Sequence, residues 1–341
     1  MMRLPYFRFH APATVEEAAR ILAGEGPDAM ILAGGTDLLP NMKRGQQMPK
    51  HLVALRQIQP LRDIRNGSGL TIGAGLSLTA LLGNETVRQN YKALWQAAKL
   101  VATPQLRNMA TLGGNICLDT RCNFYNQSEE WRKAINYCLK KDGEICWVAT
   151  SSKTCLAVSS TDTAPALIAL GAKIRLVSAQ GERVVGLKDF YHDDGVNYMG
   201  RRAGEILTEV ILDPASGWKS AYWKLRRRGS FDFPVLSVAA AAKLSDDGTV
   251  EDARIVLGSV ASQPVVSTEV AEFLIGRKLD DQVIEEAGHI ATRVARPVDN
   301  TDMAPPWRKK VIPVFMSYAL RELRGDDVTE LRQRVAHQSR S

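Results

Sequence analysis

Apolar residues recur at helical spacing over Val15, Ala18, Ala19 and Leu22, which marks one buried helix face. Thr14 and Glu17 stand ahead of it with the spacing of a capping box. Gly24, Gly26 and Pro27 end the helix, and the continuous apolar run 29–33 reads as a buried strand leading into Gly34-Gly35-Thr36-Asp37. Further on, 71–75 predicts a strand end. Segment 86–101 predicts one amphipathic helix with Leu94, Ala97, Ala98 and Val101 inward, and 173–177 and 205–212 predict strands. Beyond a boundary at 214–218, runs 237–243 and 253–260 predict strands of a separate unit. Helices are expected over 281–295 and 307–324, then a polar, loose tail. The pattern predicts an α+β chain with units 1–56, 57–215 and 216–325 and a tail 326–341.

Length agrees, because 341 residues exceed what one compact core serves. No apolar run reaches the roughly 18 to 20 residues of a membrane helix, and the first ten residues lack the apolar centre of a signal peptide. A cytoplasmic protein with no membrane span is expected. The net charge of +7 raises nucleic acid as a partner. The basic residues are spread along the chain, however, apart from Arg226-Arg227-Arg228, and no nucleic-acid motif accompanies them. A basic surface that is solvated, or that attracts an anionic partner or substrate, accounts for the charge.

A glycine pair at a strand end lets several backbone N–H groups point one way with no side chain blocking approach, and such a concavity binds phosphate oxygens. Two pairs occur here, at 34–37 and in Thr111-Leu112-Gly113-Gly114-Asn115. Together they could clasp the two phosphates of a dinucleotide, although either alone also reads as a tight turn. Neither fits G-x-G-x-x-G or the P-loop pattern.

The stretch Ile31-Leu-Ala-Gly-Gly-Thr-Asp-Leu-Leu-Pro40 resembles the first FAD motif of the flavoprotein subunits of the molybdenum hydroxylase (xanthine oxidase) family. The stretch from Ala102 to Ile116 resembles the second. Ser160-Thr-Asp-Thr-Ala-Pro-Ala166 resembles the segment that follows, and Tyr222-Trp-Lys-Leu-Arg226 with 231–237 resembles the fourth. Order and spacing hold from about Pro5 to Leu323. The resemblance implies a two-subdomain FAD-binding domain of the vanillyl-alcohol-oxidase/molybdenum-hydroxylase type, followed by a C-terminal α+β domain like that of CO dehydrogenase flavoproteins. It implies that Ala33, Gly34, Gly35, Thr36, Asp37 and Leu38 bind the pyrophosphate, and that Thr111, Gly114 and Asn115 contact the phosphate and ribityl region. Asp162 would accept hydrogen bonds from FAD hydroxyls, with a helix N-cap as its plainer role. Lys224 would meet the flavin's pyrimidine edge, with an exposed strand lysine as the plainer reading.

All five cysteines lie between 117 and 155. Cys122, Cys138, Cys146 and Cys155 are separated by 15, 7 and 8 residues. Thiolates gathered on one segment can share a metal centre whose binding orders that segment. Zinc sites usually show close C-x2-4-C pairs, whereas cubane clusters tolerate wide spacing. Spacing alone leaves a cluster and zinc both open, with free buried cysteines behind them. About 40 residues, 118–158, intervene where most family members pass directly to the third motif. This insertion resembles that of the β subunits of the 4-hydroxybenzoyl-CoA reductase branch, where it carries a 4Fe-4S cluster. The resemblance implies Cys122, Cys138, Cys146 and Cys155 as ligands. Cys117, inside the flavin motif, reads as a small buried residue. Trp131, Trp147, Tyr125 and Tyr137 are expected to pack around the cluster. The histidines at 10, 51, 192, 289 and 337 show no ligand spacing.

The family implies an oxidoreductase electron-transfer subunit whose partners are a molybdopterin-carrying large subunit and a 2Fe-2S small subunit, in a dimer of heterotrimers. In the reductase branch, ferredoxin is the electron donor. Two alternatives remain in the sequence. One is an oxidative purine or aromatic hydroxylase flavoprotein with a zinc-organised insertion, and the other is a zinc-stabilised basic binding module without flavin.

Overall fold

The computed structural model describes residues 3–229 and 231–337. The first unit is a parallel sheet of β1 (Arg8–His10), β2 (Ala29–Leu32) and β3 (His51–Ala54) in the order β1-β3-β2. The helix Val15–Glu25 lies on it, burying Ala18, Ala19 and Leu22 against Val53 and Leu55. Its start follows the local chemistry. Thr14 Oγ1 accepts from Glu17 N, and the Glu17 carboxylate accepts from Ala13 N at 2.8 Å, one residue earlier than a standard capping box.

The second unit is an antiparallel sheet of β4 (Ile64–Asn66), β5 (Leu70–Gly73), β6 (Lys173–Ser178), β7 (Gly181–Gly186) and β8 (Ile206–Leu212), ordered β4-β5-β8-β6-β7. Its core joins the helices Lys92–Leu100 and Thr163–Ala169. The single helix expected over 86–101 is instead two, Glu85–Asn90 and Lys92–Leu100. The break falls at Tyr91, whose backbone leaves the helical region at φ −121, ψ 54 while its hydroxyl donates to Asp213 O across the unit. A tertiary contact overrides the local helical pattern there.

The third unit is an antiparallel sheet of β9 (Trp218–Leu225), β10 (Leu236–Leu244), β11 (Val250–Gly258) and β12 (Val265–Val266), ordered β12-β11-β10-β9. Strand side chains alternate between faces, and here both faces are covered. Ala239 and Ala241 join the core of the second unit, whereas Val238, Ala240 and Ala242 join a core with the helices Asp281–Val294 and Ile312–Arg324. This is why β10 reads as an unbroken apolar run. The helix expected over 307–324 begins earlier, as Pro305–Lys310, and restarts as Ile312–Arg324. The expected loose tail is ordered as a helix, Thr329–His337, except that 338–341 lie outside the described residues. Arg332 of that helix sits 4.1 Å over the Trp223 ring and pairs with Glu322, so contacts with the third unit order a polar segment. Among the described residues, no helix is long and apolar enough to cross a membrane.

Segment 118–158 leaves and rejoins the second unit through one antiparallel bridge. Arg121 N donates to Val158 O and Val158 N to Arg121 O, at 2.8 and 2.7 Å. Between them lie one short helix, Glu129–Ala134, and turns.

Candidate flavin and cysteine sites

The two glycine loops touch. A Cβ on Gly34 would overlap the Met109 carbonyl just ahead of the second loop, and one on Gly114 would stand 3.7 Å from Ala33 Cβ. Gly35 takes a positive φ of 72, which favours glycine. Among the described residues, no protein acceptor takes the N–H of Gly34, Gly35, Thr36, Asp37 or Leu38. That row of half-buried donors without a protein partner fits an anionic pyrophosphate.

The second loop differs. It is the start of the short helix Leu112–Ile116, and its donors are spent internally. Leu112 N goes to Leu76 O, Gly113 N to Ala74 O and Gly114 N to the Thr111 hydroxyl. Asn115 Oδ1 accepts from the Thr161 hydroxyl and from the N–H and hydroxyl of Thr163 at 2.7–3.0 Å. Asn115 therefore ties the second loop to the third motif and caps the Thr163–Ala169 helix. Asp162 does not cap that helix, as its plainer reading supposed, for its side chain makes no cap bond.

Asp162 instead faces β9. Tyr222 and Lys224 lie two residues apart, so strand alternation turns both toward the second unit. The Tyr222 hydroxyl donates to Asp162 Oδ1 at 2.8 Å, and Lys224 Nζ lies 3.0 Å from Asp162 Oδ1. Lys224 also donates to Leu100 O and Asp232 O. It is wholly buried, which overturns the exposed strand lysine. Burial pushes Asp162 up and Lys224 down from their ordinary values, while their mutual attraction opposes both shifts. Three acceptors surround the ammonium and two donors reach the carboxylate, so the buried polar groups are hydrogen-bonded. A cleft of about 710 Å³ opens beside Lys224, walled by Trp95, Lys99, Trp223 and Arg332.

Arg121 carries the insertion to the first loop. Its buried guanidinium pairs with Asp37 and donates to Asn41 Oδ1 at 3.2 Å. Burial lowers it to about 10. Arg121 and Tyr222 were not foreseen. The second was accessible from the i, i+2 relation to Lys224, whereas nothing local marks the first.

Cys122, Cys138, Cys146 and Cys155 line one narrow cavity with Phe124, Leu139, Trp147 and Val148. All four are buried. Burial pushes Cys122 up to about 11 and Cys155 to about 12, with the neighbouring cysteines adding to both shifts. The thiols are not drawn together to single-ion spacing. Among the described residues, the one group of three donors mutually within 4.8 Å is His10, Glu25 and His51. The spacing of the histidines along the chain carries no sign of this group, which the parallel register assembles. Cys117 stands apart, half-buried against the core of the second unit. Tyr125 and Trp147 pack with the cavity cysteines, whereas Trp131 is exposed against Phe124 and Tyr137 donates to Glu129 at the surface.

The insertion is held to the rest of the chain by polar contacts. Lys140 Nζ donates to Gly195 O and Asn123 N to Asn300 O, while Asp119 and Thr120 hold the same ammonium from within the segment.

Comparison with known proteins agrees with this geometry. Residues 5–215 match the family described as the FAD binding domain in molybdopterin dehydrogenase, and 220–323 match the CO dehydrogenase flavoprotein C-terminal domain. The aldehyde oxidoreductase FAD-binding subunit PaoB of Escherichia coli (strain K12) is 35% identical over 77% of this chain and 83% of its own length. The carbon monoxide dehydrogenase medium chain of Afipia carboxidovorans is 28% identical over 92% and 95%. A crystal structure of Cu,Mo-CO dehydrogenase superposes with a TM-score of 0.79 at 27% identity, covering 95% of this chain and 99% of that one. A run of free backbone donors, a second glycine loop packed on it and matches across both domains lead to one conclusion: the chain belongs to the FAD-binding subunits of the molybdenum hydroxylase family of oxidoreductases.

Proposed function

We propose that this subunit carries a 4Fe-4S cluster beside its FAD and serves a 4-hydroxybenzoyl-CoA reductase. The observation that carries the reading is the cavity lined by Cys122, Cys138, Cys146 and Cys155 inside segment 118–158. Four buried thiols with apolar walls suit an iron–sulfur centre. Their spread beyond single-ion distances suits a multi-iron centre better than zinc, whose bonds of about 2.3 Å bring sulfurs to roughly 4 Å of one another.

With both groups bound, the flavin and cluster supply exchange between one- and two-electron steps. The chain's residues hold and separate them. The N–H groups of Ala33 to Leu38 would receive the pyrophosphate, with Thr111, Gly114 and Asn115 on the facing loop. Asp162 and Lys224 present a fixed charge pair at the end of β9, where the lysine would favour an anionic reduced ring. Arg121 links the cysteine segment to the pyrophosphate loop through Asp37. Tyr125 and Trp147 shield the cysteine cavity from water.

The partners are a molybdopterin-carrying large subunit and a 2Fe-2S small subunit in a dimer of heterotrimers, with ferredoxin as donor. Substrate conversion belongs to the large subunit: 4-hydroxybenzoyl-CoA takes up two electrons and two protons and leaves as benzoyl-CoA and water. A second reading, an oxidative member with zinc in the insertion, draws on relatives whose names are carbon monoxide, xanthine and aldehyde oxidoreductases. The purified complex separates the two. Reduced by ferredoxin, it is reoxidised by 4-hydroxybenzoyl-CoA with benzoyl-CoA formed on the first reading. Turnover of a purine or aldehyde without any reaction of that thioester supports the second.

A further inference from the structure

We propose that His10, Glu25 and His51 form a binding site for a divalent transition metal of the zinc type, at the amino-terminal end of the first sheet. Three elements converge there. His10 closes β1, His51 opens β3, and Glu25 ends the helix Val15–Glu25. The parallel register pairs Arg8 with His51, so His10 stands two residues along on the same face. The imidazoles stack at 5.3 Å with 19° between their planes. His10 Nε2 lies 3.0 Å from His51 Nδ1, and Glu25 Oε2 lies 3.3 Å from His51 Nε2. One donor atom from each residue falls within 4.8 Å of the others. Zinc bonds of about 2.0 Å in a tetrahedron place donors roughly 3.3 Å apart. Because His10 and Glu25 now meet opposite nitrogens of His51, an ion would take one of those nitrogens and draw the other partner in by side-chain rotation from within 4.8 Å.

Two imidazoles and a carboxylate are a borderline donor set that selects zinc-like ions over magnesium or calcium. The side chains are partly exposed, 16% for His51 and 36% for Glu25, which leaves a water position and an entry path. The site lies at the end of the sheet opposite the glycine loop, because His51 pairs with Ala29 at the start of β2 while Gly34 follows its end. Its effect is therefore structural. The core beneath is small, made of Ala18, Ala19, Leu22, Val53, Leu55, Ile58, Leu61 and Ile206. An ion joining β1, β3 and the helix would add to that core, as any ligand of the folded state does.

The test uses the full chain in its cofactor-loaded complex, dialysed against micromolar zinc, with zinc, iron and FAD counted. The expected result is that His51→Ala, His10→Ala and Glu25→Gln each lose one zinc per chain, or weaken it at least tenfold, with iron and FAD unchanged. The zinc-dependent rise in Tm disappears with it. Zinc uptake unaltered by all three substitutions, or lost only when the cysteines are replaced, overturns the proposal. Glu25→Gln, at a helix end, keeps the test valid where a histidine variant fails to fold. The outcome is independent of what the cysteine cavity holds.

Discussion

Lys224 Nζ and Asp162 Oδ1, 3.0 Å apart, join a strand of the C-terminal domain to the loop that opens the Thr163–Ala169 helix of the flavin domain. Both side chains are buried. Removing one partner strands the other charge, which costs about 3–5 kcal/mol. Lys224→Met is expected to lower the urea midpoint accordingly and to reduce bound FAD. The double variant Lys224→Met/Asp162→Asn recovers most of the stability but not the flavin. Equal recovery of both would show that the pair serves folding alone.

Contact between the loops makes Gly34 intolerant of a side chain. Gly34→Ala drives a methyl into the Met109 carbonyl, so the variant is expected to purify with little FAD. Gly24 is the control, since nothing lies within 4 Å of its Cβ position. It sits within the helix Val15–Glu25, where alanine gains about 0.5–1 kcal/mol over glycine. Gly24→Ala should therefore raise Tm and leave FAD unchanged.

Asn115 is the acceptor for three donors in the third motif. Asn115→Ala leaves the buried Thr163 N–H unpaired, a loss of about 1–3 kcal/mol. Asn115→Asp keeps the acceptor and is expected to retain more of the stability, read by thermal unfolding.

The cysteine cavity has a pH signature in metal-free protein. Folding raises Cys122 from 9.0 to about 11 and Cys155 from 9.0 to about 12. The unfolded chain therefore releases these protons first. Their contribution to stability is whole below pH 9 and is lost as pH rises through 11 to 12. Unfolding measured from pH 8 upward should show this decline, and Cys122→Ser should flatten it. Metal loading must also expel these protons, so uptake by stripped protein should acidify an unbuffered solution.

The sequence made legible what local chemistry writes. The capping residues of the first helix, the glycine pairs and the apolar run of β10 all follow from neighbours along the chain. The pairings that build the site do not. Asp37 meets Arg121, and Asp162 meets Lys224, across separations that leave no periodic trace. The Thr329–His337 helix was missed for the same reason, because Arg332 is ordered by Trp223 and Glu322 rather than by its own segment. His10, Glu25 and His51 lie on three elements that only the parallel register brings together.

The central claim is that one chain holds both a flavin and an iron–sulfur centre. Its most direct test is the count of FAD, iron, acid-labile sulfide and zinc in anaerobically purified protein, beside Cys138→Ser prepared the same way. The account predicts about four irons and four sulfides for each FAD, with both lost and FAD kept in the variant. Flavin without iron, or iron that survives Cys138→Ser, contradicts it.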